Sequence, residues 1–108
     1  MSDEALKRLM DLRAKRLQER EQGDLRKVLA LPEGRRFVWK LLSDAGVFRS
    51  TFTGTSQTFF NEGQRNMGLM VLNQVMAVKP EAFSQMQQEA ASEERQHREE
   101  LNKAQEAK

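Results

Sequence analysis

The sequence predicts an all-α protein: a small helical core of two to three helices with extended charged helical arms at both ends. Three observations predict it. Apolar residues recur at helical spacing only in the middle of the chain, between Arg35 and Met86. The two ends are long, lack proline, and place acids four residues before bases, the order that supports an isolated helix. Between them, residues 46–57 form one stretch of glycines, hydroxyls and β-branched residues that disfavours helix. An apolar fraction of 38% against a charged fraction of 31% agrees with this division. It is too polar for every residue to surround one core and too apolar centrally for the whole chain to be disordered.

The first helix starts at Ser2, a suitable N-cap, with Asp3 and Glu4 at the positive end of the helix dipole. Asp3–Lys7, Glu4–Arg8 and Asp11–Lys15 are expected ion pairs along it. Leu6, Leu9, Met10 and Leu17 mark a short apolar face, interrupted by Arg13 and Arg16, so a long coiled coil is not expected. Gln22-Gly23-Asp24 reads as a break, with Asp24 capping a separate short helix through Leu31. Pro32 then restarts the chain at a helix N1 position, followed by Glu33 in the first turn.

The first core helix is expected over Arg35–Ala45. Phe37, Val38, Leu41, Leu42 and Ala45 form its apolar face, Trp39 lies off the centre, and Gly46 ends it. In the following loop, Val47, Phe48 and Phe52 are expected to pack down. A second core helix spans Gln57–Val78, its stripe formed by Phe60, Met67, Val71 and Val78 with Phe59, Met70 and Val75 beside it. Gly63 and Gly68 inside it each cost up to ~1 kcal/mol against Ala, which suggests close approach of another backbone. Lys79-Pro80-Glu81 starts the third helix, where Ala82, Phe83, Met86 and Ala90 continue an apolar edge. Beyond Met86 the chain is polar; Glu94–Arg98 and Glu99–Lys103 support helix, but Leu101 is the only large apolar side chain. The chain thus divides into an N-terminal arm (1–31), a central core (32–86) and a C-terminal tail (87–108). A core of about 50 residues falls below the ~70–80 that normally gives comfortable stability, so either the arms pack back on it or other subunits complete it; the polarity of the arms favours the second.

Composition excludes several trades. There is no cysteine, and a single His97 in a polar helix cannot build a metal site. No long apolar run follows the acidic N-terminus, so neither a signal peptide nor a membrane-spanning helix is expected. The net charge of +2 is unevenly spread: +4 over residues 1–50, zero over 51–86 and −2 over 87–108. A DNA-packing protein would be more lopsided.

Candidate functional residues are few. Arg35, Arg36, Lys40 and Arg49 read either as a basic patch for phosphate or an acidic protein surface, or as a solvated helix edge whose stems cover apolar surface. The hydroxyl-rich loop 50–56 lacks the Gly-Lys-Ser/Thr of a P-loop, and its hydroxyls are expected to cap the next helix. Phe37, Phe59 and Phe60 have core-compatible spacing rather than that of base-stacking residues; Trp39 is the exception and suggests a protein contact. Glu62 and Arg65 lack the second carboxylate or nucleophile a catalytic reading would need. No catalytic residue, cofactor or metal is indicated.

One block is more specific. Arg35-Arg36-Phe37-x-Trp39-x-Leu41-Leu42-x-x-Ala45-Gly46-Val47-Phe48 is followed by Ser50-x-Phe52-x-Gly54 and then by Phe60-x-Glu62-Gly63-x-Arg65-x-x-Gly68. Over roughly residues 30–90 this resembles a family of short tailed-phage proteins met among the head-assembly genes of short-tailed phages. The resemblance implies no enzymatic role. It implies a virion or virion-assembly component, in the virion or host cytoplasm, with phage structural proteins (portal, capsid or tail adaptor) as partners and possible self-association as a homo-oligomer. Partner contacts are expected at Arg35, Arg36, Trp39, Lys40, Arg49, Gly63 and Gly68. A nucleic-acid-binding or regulatory protein using the basic helix edge, and a scaffolding factor absent from the finished particle, are the alternatives.

Overall fold

Local chemistry sets where each helix begins and ends in the computed structural model, which describes residues 2–107. The Ser2 side chain accepts a hydrogen bond from the Ala5 N–H at 3.2 Å and opens α1 (Asp3–Ala30). Pro32 ends it: the residue before a proline is barred from helical geometry, and Leu31 accordingly sits at φ −99°, ψ 136°. Pro32 is also the first residue of α2 (Pro32–Asp44). Gly46 closes α2 at φ 83°, with the Val47 N–H donating to Leu42 O at 3.2 Å, the long bond of a left-handed C-terminal cap. A second core helix, α3 (Gln57–Val78), has the bounds expected from sequence, and α4 (Pro80–Glu106) follows at once, again from a proline.

One boundary differs. α1 is continuous through Gln22-Gly23-Asp24, where the sequence predicts a break. A glycine costs an already formed helix only up to ~1 kcal/mol, whereas Leu25 and Leu29 just beyond it pack into the core, and only continued helix holds them there. The corner between α1 and α2 depends instead on Gly34. A Cβ at that position would lie 1.9 Å from the Val28 carbonyl oxygen, so the two helices meet backbone to backbone.

The core is small and drawn from every element. Leu29 of α1, Val38 and Leu42 of α2, Val47 of the loop, Val75 of α3, and Ala82 and Met86 of α4 are buried. Leu25, Trp39, Ala45, Leu69, Val71, Leu72 and Phe83 pack around them. The molecule measures 79 × 39 × 16 Å, with a radius of gyration of 20.1 Å. A compact domain of this length would have about 13 Å. The thinnest dimension is little more than one helix diameter of about 10–12 Å. Helices arranged this way form a slab, and a slab leaves apolar side chains on its outer faces.

That geometry rotates the expected faces. On α2 the inward residues are Arg35, Val38, Trp39 and Leu42, so Phe37, expected in the core, is 68% exposed while Trp39 packs inward. Leu41 is exposed as well. On α3 the inward line runs through Gly68 and Val75, with Val71 and Val78 half-buried; Phe59, Phe60, Met67 and Met70 face outward, contrary to expectation. In the loop Val47 is buried and Phe48 packs one side against Trp39 and Phe83 while its other side meets solvent; Phe52 stays exposed, contrary to expectation.

Among the described residues the ion pairs are Arg35–Glu89, Lys40–Asp44 and Glu94–Arg98. Of the pairs expected along the arms, Glu94–Arg98 forms at 3.5 Å; Asp3–Lys7, Glu4–Arg8, Asp11–Lys15 and Glu99–Lys103 do not. Exposed pairs of this kind are worth only a few tenths of a kcal/mol each, too little to hold two long side chains in place.

Candidate partner-binding surface

Four of the residues singled out in sequence come together. Arg35, Arg36, Trp39 and Lys40 line one side of a cleft of about 250 Å³, and Met86, Glu89, Ala90 and Glu93 of α4 line the other. The helical repeat explains the grouping, since residues 35, 36, 39 and 40 lie on adjacent turns of one side of α2. On α4, residues 86, 89, 90 and 93 follow the same rule.

The floor of the cleft is a clamp. Arg35 is only 8% exposed. Its Nε donates to Glu89 Oε1 at 2.6 Å, and its Nη1 donates to the Leu29 carbonyl at 3.0 Å. One guanidinium therefore ties α2 to both α1 and α4. The fork geometry suits arginine, which offers several donors in one rigid plane. Burial of so large a cation is tolerable only because its charge is paired and its donors are used. Among the described residues no buried side-chain polar atom lacks a partner.

Beside the clamp, Trp39 stacks on Phe48 with ring centroids 5.0 Å apart and contacts Phe83 at 6.1 Å; Phe48 and Phe83 lie 6.3 Å apart. Offset and tilted contacts at these distances are favourable for ring quadrupoles. The trio joins α2, the loop and α4, with Phe48 open to solvent. Trp39 is thus partly covered from within, and its free edge forms part of the cleft wall.

The remaining basic residues separate. Arg36 and Lys40 are exposed, and Lys40 Nζ donates to Asp44 Oδ2 at 2.6 Å one turn on. Arg49 folds back across the end of α2, its Nη2 donating to the carbonyls of Ser43 at 3.1 Å and Asp44 at 3.4 Å. There it adds a donor to the last carbonyls of the helix, that of Ser43 also accepting from the Gly46 N–H, and meets the negative end of the helix dipole. Gly68 lies apart from the cleft, packed under the loop: a Cβ would come within 2.6 Å of Val47 Cγ2 and 2.7 Å of Ala45 Cβ. Gly63, by contrast, is exposed, with nothing within 4 Å of the position a Cβ would take. The backbone approach expected at both glycines is seen at neither: side chains close on Gly68, and nothing in the chain closes on Gly63.

The hydroxyl loop works as expected, with Thr55 of residues 50–56 holding the start of α3. Thr55 Oγ1 accepts from the Gln57 N–H at 3.2 Å, and Thr58 Oγ1 accepts from the Thr53 N–H at 3.0 Å, while Ser56 at the N-cap position makes no capping bond. No group of three or more His, Cys, Asp or Glu gathers among the described residues. No helix of these is long and apolar enough to cross a membrane.

Sequence reasoning missed Glu89 as the partner of Arg35, and Phe48 and Phe83 as the partners of Trp39. A signal for the first was present. Glu89 sits one turn beyond Met86 on the apolar edge of α4, and Arg35 sits one turn before Val38 on the inward face of α2. A lone acid and a lone base, each extending an apolar stripe, are candidates for one another.

No curated protein and no solved structure matches the chain. Residues 25–88, from Leu25 at the edge of the core to just short of Glu89, match the family model described as Bbp19-like phage protein.

Proposed function

Because the chain belongs to the Bbp19-like phage protein family, we propose that it is a structural or accessory component of a phage particle. In this reading it is a non-enzymatic adaptor at the portal or head–tail vertex or the capsid interior, acting by protein–protein contacts. Residues 32–86 dock, and the arms 1–31 and 87–108 lie along neighbouring subunits.

One observation carries the proposal: a small buried core supports a long slab whose outer faces hold Phe37, Phe52, Phe59, Phe60, Met67 and Met70. Exposed apolar surface on this scale marks a surface that other proteins cover. The cleft supplies polarity at the docking face, with Arg36 and Lys40 beside the Trp39 edge. Aromatic and basic side chains in such a setting are common anchors of protein interfaces.

The same geometry weighs against nucleic acid. Arg35 spends its charge on Glu89, and Glu93 stands on the opposite wall, where it would repel a phosphate.

Mass spectrometry of purified virions, with chemical cross-linking through Lys40, tests the proposal. The expected result is the protein present at a defined copy number and cross-linked to a vertex or inner-capsid protein. Absence from finished particles, together with normal assembly of particles lacking the gene, overturns it. Presence only in precursor particles would identify a scaffolding factor instead.

A further inference from the structure

On α3, residues 60, 63, 67 and 70 lie on one exposed line, with Phe59 flanking it, and this line is not used by the fold. Phe59, Phe60, Met67 and Met70 are each between 57% and 77% exposed. The line is interrupted at its centre by Gly63, above which there is open space. Farther along, at Gln74 and Ala77, α3 meets α1, and those residues share a cleft with Gln18, Gln22 and Leu25. The free length is thus residues 59–70, about three turns or some 18 Å.

We propose that this stripe is a self-association surface, pairing α3 with α3 of a second copy in antiparallel fashion about a two-fold axis near residue 65. Three features select that occupant. The spacing 3-4-3 reads the same in both directions, so the stripe is complementary to itself when reversed. Reversal about residue 65 sets Phe60 against Met70 of the second copy, a favourable sulfur–aromatic pair, and sets Met67 into the space above Gly63. A parallel pairing would instead set Gly63 against Gly63 and leave a gap between the two phenylalanine and methionine layers. Two-fold pairing is also the commonest closed symmetry for identical chains.

Charge and area agree. The only charged residues of α3 are Glu62 and Arg65, and both lie off the line, so nothing on it recruits a charged partner. The four large side chains expose on the order of 500 Å² per chain, at about 150–250 Å² for each whole aromatic. Two copies together reach the ~1,000 Å² that a specific interface requires. This surface is separate from the α2–α4 cleft, but its four large side chains are among the exposed apolar residues on which the docking role rests, so self-pairing assigns them one definite occupant.

Sedimentation equilibrium of the full chain, combined with directed disulfide formation, tests the pairing. The native chain has no cysteine, so introduced thiols report without background. The expected result is a concentration-dependent dimer whose dissociation constant rises at least tenfold in Met67→Asp and in Gly63→Leu, while helical circular dichroism is unchanged. When Gly63→Cys and Met67→Cys chains are mixed and oxidised, intact-mass analysis is expected to show the mixed 63–67 link in excess over 63–63 and 67–67. A chain that stays monomeric at all concentrations overturns the proposal, whatever then covers the stripe in a particle. Predominance of 63–63 and 67–67 links overturns the antiparallel arrangement, and a dimer indifferent to both substitutions overturns the surface.

Discussion

Arg35 and Glu89 stand 54 residues apart in the chain and meet at 2.6 Å, joining the second helix to the middle of the fourth. The arginine is almost wholly buried and the carboxylate about a third exposed, so the pair is desolvated on one side only. Its second tie, to the Leu29 carbonyl, lets the same side chain hold the end of α1. The clamp thus anchors the start of the C-terminal arm to the core at the point where apolar packing ends at Met86.

Arg35→Ala is expected to lower unfolding free energy by about 2–3 kcal/mol, because it strips a carboxylate and a buried carbonyl of their donor. Glu89→Gln is expected to cost less, about 1 kcal/mol, since the amide still accepts a hydrogen bond and Glu89 is partly solvated. Urea denaturation of both single variants and the double variant gives the coupling. Additive losses would show that the two side chains act separately.

Gly34 and Gly23 should respond in opposite directions. Gly34→Ala drives a Cβ into the Val28 carbonyl and is expected to cost about 3 kcal/mol or more by forcing the α1–α2 corner apart. At Gly23 nothing lies within 4 Å of where a methyl group would sit, so Gly23→Ala is expected to stabilise the helix by up to ~1 kcal/mol. Thermal melts of the two variants settle the ordering.

At the end of α2, Gly46→Ala places a side chain in left-handed backbone and is expected to cost about 1–2 kcal/mol. Arg49→Ala removes the guanidinium from the Ser43 and Asp44 carbonyls and is expected to cost about 0.5–1 kcal/mol, with the smaller loss at high salt. Hydrogen exchange of the Ala45–Val47 amides, whose bonds close the turn, reports the loosening directly.

Trp39 is the only tryptophan, so its fluorescence reads the cleft without interference. Its emission is expected to shift to the red in Phe48→Ala and Phe83→Ala, because each substitution removes one ring from the stack and admits water. If the cleft is where a partner docks, binding moves the emission of the native chain to the blue. Unchanged emission on saturating binding would place the contact elsewhere.

Helix boundaries were legible because they rest on neighbours in sequence: Ser2, Pro32, Gly46 and Pro80 act within a turn of themselves. The expected break at Gly23 failed for the opposite reason. Its cost is local and small, while the packing of Leu25 and Leu29 that overrides it comes from other helices. Part of the candidate surface was legible too. Arg35, Arg36, Trp39 and Lys40 share one side of one helix, and Arg35 extends the stripe that leads to Val38; but its partner Glu89 lies 54 residues away, and nothing in sequence announced that Arg49 would cap its own helix.

By itself the sequence determined an all-α chain with a short apolar centre and polar helical ends, since composition, caps and prolines act through local propensity. Only the tertiary structure decided which sides of α2 and α3 are buried. Both helices carry apolar residues on more than one side, so periodicity alone leaves the inward direction open. Four helices laid out as a slab bury one side of each: Trp39 goes in and Phe37 out, Gly68 goes in and the Phe60–Met67 line out. The short core between polar arms is therefore a consequence of sequence, and the surfaces it leaves for partners are a consequence of packing.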